Sequence, residues 1–166
     1  MATYPKRADN AQPDTKLLAL GNQLCFALYS ASLEMTKFYR PILEPLKLTY
    51  PQYLVMLVLW EQSGVLVKEL GARLHLDSGT LTPLLKRLEK AGFVRRQRDP
   101  KDERGVIVSL TKQGEHLKAK ALEVPQVVAC AVGMGAQNSA ALRKGIIDAR
   151  ERVQAYREAM NRGENR

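Results

Sequence analysis

Cys25 and Cys130 are the only cysteines in this 166-residue chain. A thiolate is the side-chain form that attacks peroxides, disulfides and soft metal ions. The two lie far apart, without the close spacing of a metal site, and they do not make the disulfide framework of a small secreted domain. In a reducing compartment such thiols are free or redox-active rather than structural. Cys25 stands at the edge of an apolar stripe, where a small buried hydrophobe is the plain alternative. A redox role asks for partial access, hydrogen-bond donors or a helix N-terminus beside the sulfur, and often a second thiol. Tyr39 and Tyr50 are the candidate donors. His75 and His116 have no companions to complete a metal site, and no glycine-rich phosphate loop occurs. Catalysis and a bound cofactor are therefore not expected.

A second constellation is cationic. After Asp77, the residues Leu81, Leu84, Leu85 and Leu88 follow i, i+3, i+4, i+7 and must face a core. Gly79, Thr82, Pro83, Lys86 and Lys90 fall on the opposite face, with Thr80 and Arg87 on its flanks. Small and hydroxylated residues in a first turn, here from Ser78 on, can approach base edges, while later Lys and Arg meet phosphates. Pro83 predicts a local distortion. Arg95, Arg96, Arg98, Lys101 and Arg104 then crowd one hairpin, and its extended loop can place Arg104 in a minor groove. Asp102 has the spacing to hold that guanidinium by a charge-assisted hydrogen bond. A solvated hairpin with ordinary surface charge is the alternative.

The elements that must position these residues read as mostly helical. Three Phe, six Tyr and one Trp leave Leu, Val and Ala to fill a core drawn from 45% hydrophobic residues, which suits helices more than a β-sandwich. The 26 Lys and Arg against 17 Asp and Glu give +9 and favour a polyanionic partner. No apolar run reaches the roughly 18 residues that span a bilayer, and the polar N-terminus lacks a signal-peptide core, so a cytoplasmic location without membrane contact is expected. Residues 1–15 read as a flexible arm. From Leu17, apolar residues at alternating spacings of three and four predict a long helix ending before Pro41. Leu18, Phe26, Tyr29 and Leu33 add a second apolar face. Two faces need two partners, either the domain and a second copy of the chain, or the interior of one protomer.

A helix is predicted over Tyr53 to Trp60, with Tyr50 in the loop before it, and a shorter one over Val67 to Leu74. The turn His75 to Gly79 leads to a helix ending near Ala91-Gly92, and strands Phe93 to Arg98 and Val106 to Leu110 form a hairpin. Thr111 is placed to cap a helix through about Ala131, kinked at Pro125, and Asn138 or Ser139 to cap a last helix to about Met160. Tyr39 lies fourteen residues after Cys25 on the first helix. That is about 21 Å of helical rise, so Tyr39 reaches Cys25 only from a partner subunit packed antiparallel.

Residues 53–111 resemble the winged helix-turn-helix of the MarR (multiple antibiotic resistance regulator) family. The run Leu76-Asp77-Ser78-Gly79-Thr80-Leu81-Thr82-Pro83-Leu84-Leu85-Lys86-Arg87-Leu88-Glu89 and the wing Arg98-Asp99-Pro100-Lys101-Asp102-Glu103-Arg104 carry the likeness, which extends from about residue 16 to 160. It implies a mainly α fold, a winged helix-turn-helix with additional N- and C-terminal dimerisation helices. Residues 1–15 are then the arm, 16–50 a dimerisation and sensor helix, 51–111 the DNA-binding region and 112–166 the C-terminal dimerisation helices. Such a homodimer binds a pseudo-palindromic operator in double-stranded DNA, one recognition helix per half-site.

The segment Gln23-Leu24-Cys25-Phe26-Ala27-Leu28-Tyr29 is similar to that around the reactive cysteine of the organic-hydroperoxide-sensing (OhrR) branch, and Thr80-Leu81-Thr82-Pro83 is typical of it. Tyr39 and Tyr50 match its paired tyrosines, and Cys130 the resolving cysteine of its two-cysteine subclass. The resemblance implies a bacterial repressor released when an organic hydroperoxide oxidises Cys25 and Cys130 of the partner subunit closes a disulfide. The alternative is a repressor of the same family switched by a small aromatic ligand, with both cysteines incidental.

Overall fold

Apolar spacing and capping chemistry set the element boundaries in the computed structural model, which describes residues 15–102 and 104–163. The expected arm at residues 1–15 falls outside them except for Thr15, as does Glu103 of the expected wing. Two compact units are present, one of residues 23–126 and the other drawn from the two ends of the chain, up to residue 22 and from 127.

Helix α1 spans Leu24–Leu43 and is preceded by two single 3-10 turns, Thr15–Leu18 and Leu20–Asn22. It therefore opens later than the apolar pattern predicts. Gly21 and Asn22 are poor helix formers, and the Asn22 Nδ2 donates to the Lys16 carbonyl at 2.9 Å, closing a turn instead. The helix also runs through Pro41 rather than stopping before it. The proline forfeits one backbone bond, while the fully buried Leu43 holds the last turn against the core.

Helix α2, Tyr50–Glu61, begins with a capping box in which the Thr49 N–H donates to Gln52 Oε1 at 2.8 Å. Tyr50 is its first residue and not part of the preceding loop. Pro51 sits at the start, where a missing N–H has no intrahelical partner to lose. Helix α3 covers Val67–Leu74 as expected and ends at His75, held at a left-handed φ of 55°. Helix α4 covers Ser78–Lys90, so Ser78 and Gly79 belong to the helix and not to the turn. It continues unbroken through Pro83. The carbonyl a proline ring crowds is four residues earlier, here that of Gly79, the residue freest to adjust.

Strands β1 (Val65–Leu66), β2 (Val94–Arg98) and β3 (Val106–Leu110) form an antiparallel sheet in the order β1-β3-β2. Val65 faces Val108, and the wing register runs from Val94 opposite Leu110 to Arg98 opposite Val106. Two residues are too few to show strand alternation, which is why β1 had no sequence signal.

The helix expected from Thr111 to about Ala131 is two, α5 (Lys112–Ala121) and α6 (Val124–Val132). Thr111 does cap α5, its hydroxyl accepting from the Gly114 N–H at 3.1 Å. Pro125 lies in the first turn of α6, where it starts a helix rather than kinking one. Helix α7 runs Ala136–Asn161 behind Gly135, so neither Asn138 nor Ser139 is its cap. The Ser139 hydroxyl donates instead to the Met134 carbonyl at 3.3 Å.

Leu43, Val55, Met56, Leu59, Leu70, Leu81, Leu85, Leu88, Val94 and Val108 are fully buried and form the core of the 23–126 unit. Helix α1 takes little part in it. Leu43 is the one buried residue of α1, and α7 has none. Within the 23–126 unit the first helix is therefore packed on one side only, toward its last turn. Among the described residues, no helix is long and apolar enough to cross a membrane.

Candidate nucleic-acid interface and thiol site

The leucine spacing of α4 does what it predicts: Leu81, Leu85 and Leu88 are buried and Leu84 half-buried. Ser78, Gly79, Thr80, Pro83, Lys86 and Arg87 are exposed, and Thr82 is partly so. The exposed face begins at a capped helix N-terminus. Asp77 Oδ1 accepts the Thr80 N–H at 2.8 Å and its Oδ2 accepts the Thr80 hydroxyl at 3.0 Å. The two Thr80 hydrogen bonds hold the Asp77 carboxyl below its ordinary value. Thr80 thus commits its hydroxyl hydrogen to the cap. Asp77 was not singled out from the sequence, although an Asp three residues before a Thr at a helix start is a capping signal.

In the wing, Arg95, Arg98, Lys101 and Arg104 are exposed. Arg96 is not part of that outward set. Its Nη2 and Nε reach Glu89 Oε2 at 2.6 and 2.9 Å, and its backbone N–H donates to Oε1 at 3.0 Å. The pair ties the end of α4 to β2, and the Arg96 hydrogen bond lowers the Glu89 pKa. Asp102 also differs in role from the expected one. It accepts the backbone N–H of Arg104 at 3.0 Å, and Asp99 accepts that of Lys101 at 2.9 Å, so both aspartates shape the loop by turn-type bonds. A Cβ on Gly105 would lie 3.0 Å from the Asp99 Cβ and 3.1 Å from the Asp102 carbonyl oxygen, which keeps the wing base tight. Ser78, Thr82, Arg96, Asp102 and Arg104 line one groove of about 630 Å³ between α3, α4 and the wing. Gly79, Thr80, Pro83, Lys86, Arg87 and Arg98 lie outside it.

Cys25 is exposed in the first turn of α1, where backbone N–H groups have no intrahelical partner. Cys130 is exposed on α6, in the other unit. Tyr39 and Tyr50, expected as a pair, lie with ring centroids 4.3 Å apart and ring planes tilted by 35°. Tyr53, which the sequence reading did not single out, joins them at 6.0 Å from Tyr39, and its spacing of three from Tyr50 on a helix was the available signal. Burial, then the neighbouring Tyr50 and Tyr53, push Tyr39 up to about 12. Burial likewise raises Tyr50, and burial with Tyr50 raises Tyr53. All three are neutral hydroxyls near neutral pH. No group of three or more metal-ligating side chains occurs among the described residues.

A family model described as transcriptional regulator SarA/Rot matches residues 37–121. The chain is similar to the organic hydroperoxide resistance transcriptional regulator of Bacillus subtilis, 49% identical over 76% of this chain and 84% of that one. It is also similar in structure to reduced AbfR bound to DNA, a Staphylococcus epidermidis protein. That match has a TM-score of 0.70 and 33% identity, covering 84% of this chain and 96% of the other. The disulfide-formed AbfR matches with a TM-score of 0.55 and 34% identity, over 86% and 94%.

Proposed function

Because the chain belongs to the MarR-type (SarA/Rot) family of winged-helix transcriptional regulators, on its organic hydroperoxide branch, we propose that it is a redox-switched bacterial repressor. Two copies bind operator DNA, and oxidation of Cys25 releases them. One observation carries the switch. Cys25 stands exposed at one end of α1 while Tyr39, with the Tyr50 ring against it, stands at the other. A straight helix puts about 21 Å between them, and antiparallel α1 helices of two protomers bring one end beside the other. The exposed Leu24, Tyr29 and Leu33 of α1 supply apolar surface for that pairing, and in the other unit Leu142 and Val153 of α7 are exposed as well.

The chemistry balances without a cofactor. The Cys25 sulfur attacks the outer oxygen of an organic hydroperoxide, the O–O bond breaks, and an alcohol leaves carrying the thiol proton. Sulfur is oxidised by two electrons to a sulfenic acid and the hydroperoxide is reduced. The thiol of Cys130 of the partner subunit then attacks that sulfur, forming the S–S bond and releasing water. Neutral Tyr39 and Tyr50 hydroxyls are donors for the oxygen that develops on Cys25.

On DNA, α4 enters the major groove with Ser78, Gly79, Thr80, Thr82 and Pro83 toward base edges. Lys86, Arg87 and Arg98 meet phosphates, Arg104 enters the minor groove, and Asp102 shapes the loop that carries it. Because one operator fixes the spacing of its half-sites, reorienting one recognition helix against the other weakens both halves.

The test uses a duplex selected by the reduced protein from a random pool, with cumene hydroperoxide as oxidant. The wild type forms a disulfide-linked dimer on a non-reducing gel and leaves the duplex. Cys25→Ser binds the duplex and stays bound. Arg104→Ala loses about tenfold in affinity, within the range for one specific arginine. A wild type that keeps both its thiols and its DNA after treatment sinks the redox switch in favour of a ligand-switched repressor.

A further inference from the structure

The aromatic rings of α2 link the tyrosine pair to the base of the wing. Tyr39 packs on Tyr50 with ring planes tilted by 35° and lies 6.0 Å from Tyr53, and Tyr53 meets Trp60 edge to face at 6.2 Å and 67°. Tyr53 and Trp60 are seven residues apart, two turns along one face of the helix. The buried Trp60 Nε1–H donates to the Gly114 carbonyl at 2.8 Å, and Lys118 Nζ donates to the Trp60 carbonyl at 3.0 Å. Gly114 has no slack, since a Cβ there would lie 2.1 Å from the Phe93 carbonyl oxygen. Its N–H donates to the Thr111 hydroxyl, which in turn donates to the Gly92 carbonyl at 2.6 Å. Phe93 leads into β2 and Thr111 follows β3, so both wing strands meet α5 at this junction.

We propose that Tyr53 and Trp60 are positioning residues that couple the thiol site to the wing. Tyr53 is 3% and Trp60 9% exposed, and a close-packed ring cannot follow a moving neighbour without displacing the next. A Tyr39 ring that shifts when the sulfur beside it is oxidised pushes Tyr53, Tyr53 pushes the indole, and the indole pulls the Gly114 carbonyl against Phe93. The coupling rests on the redox switch proposed above.

Trp60 is the only tryptophan, so its emission reports this junction directly in the unaltered protein. Cumene hydroperoxide is expected to change that emission with the time course of DNA release in the wild type and to leave it unchanged in Cys25→Ser. Trp60→Phe keeps an aromatic ring and removes the donor. It is expected to bind the reduced duplex and form the disulfide dimer as the wild type does, while its oxidation weakens DNA binding about tenfold less. Wild-type release with constant emission, or full release by Trp60→Phe, overturns the coupling. If Trp60→Phe does not fold, the wild-type emission decides alone. Non-reducing gels of the same samples separate the two ideas: without a disulfide dimer or release, the redox switch itself falls, and the coupling with it.

Discussion

Tyr39 shows how a single residue is set by its surroundings. A phenol is neutral when protonated, and a folded-state pKa of about 12 means the folded chain keeps a proton that the unfolded chain loses above 10. Stability from this group is whole below pH 10 and is lost as the pH rises toward 12. Tyr39→Phe should flatten the fall in melting temperature over that range and remove the last phenolate step in ultraviolet absorbance. An unchanged alkaline titration would contradict the burial of this ring. Arg96 teaches the opposite lesson, because it looked like one more cation of the hairpin. Its pairing with Glu89, seven residues earlier, crosses the turn between α4 and β2, so no single element's period reports it.

At the scale of elements, the exposed face of α4 depends on how the helix begins. Asp77→Ala removes the cap on Thr80 and should fray the turn that carries Ser78 and Gly79. The expected result is a lower melting temperature and weaker duplex binding, with Asp77→Ser retaining most of both. Because the Asp77 pKa is lowered in the fold, its contribution is present above its ordinary value of 3.8 and is lost as the pH falls below it. A second element test lies at the wing base. Gly114→Ala forces a methyl against the Phe93 carbonyl and should cost about 1–3 kcal/mol in urea unfolding, the usual range for overpacking. A cost near zero would show that α5 moves freely against β2.

At the scale of the molecule, α1 and α7 each leave apolar residues exposed, which is the surface the proposed dimer would use. Leu142 is 51% exposed on α7. If the proposed dimer and switch hold, Leu142→Arg shifts the chain toward monomer in sedimentation and abolishes duplex binding together with hydroperoxide sensitivity. A variant that stays dimeric and regulated would place the subunit contact elsewhere.

The amphipathic period of α4, the bounds of α3, the wing strands and the Thr111 cap were all readable from residue types, because each is decided within one or two helical turns. Tyr39 and Tyr50 were named together only through resemblance, and the fold brings their rings within 4.3 Å of each other. The late start of α1, the passage of that helix through Pro41 and the break between α5 and α6 were not readable, since burial of Leu43 and local capping outweighed the longer pattern. The links Arg96 to Glu89, Asp102 to its own loop and Trp60 to Gly114 belong to the tertiary structure alone. Periodicity assigns a side chain to a face, whereas the atom it meets depends on segments that come together only when the chain folds.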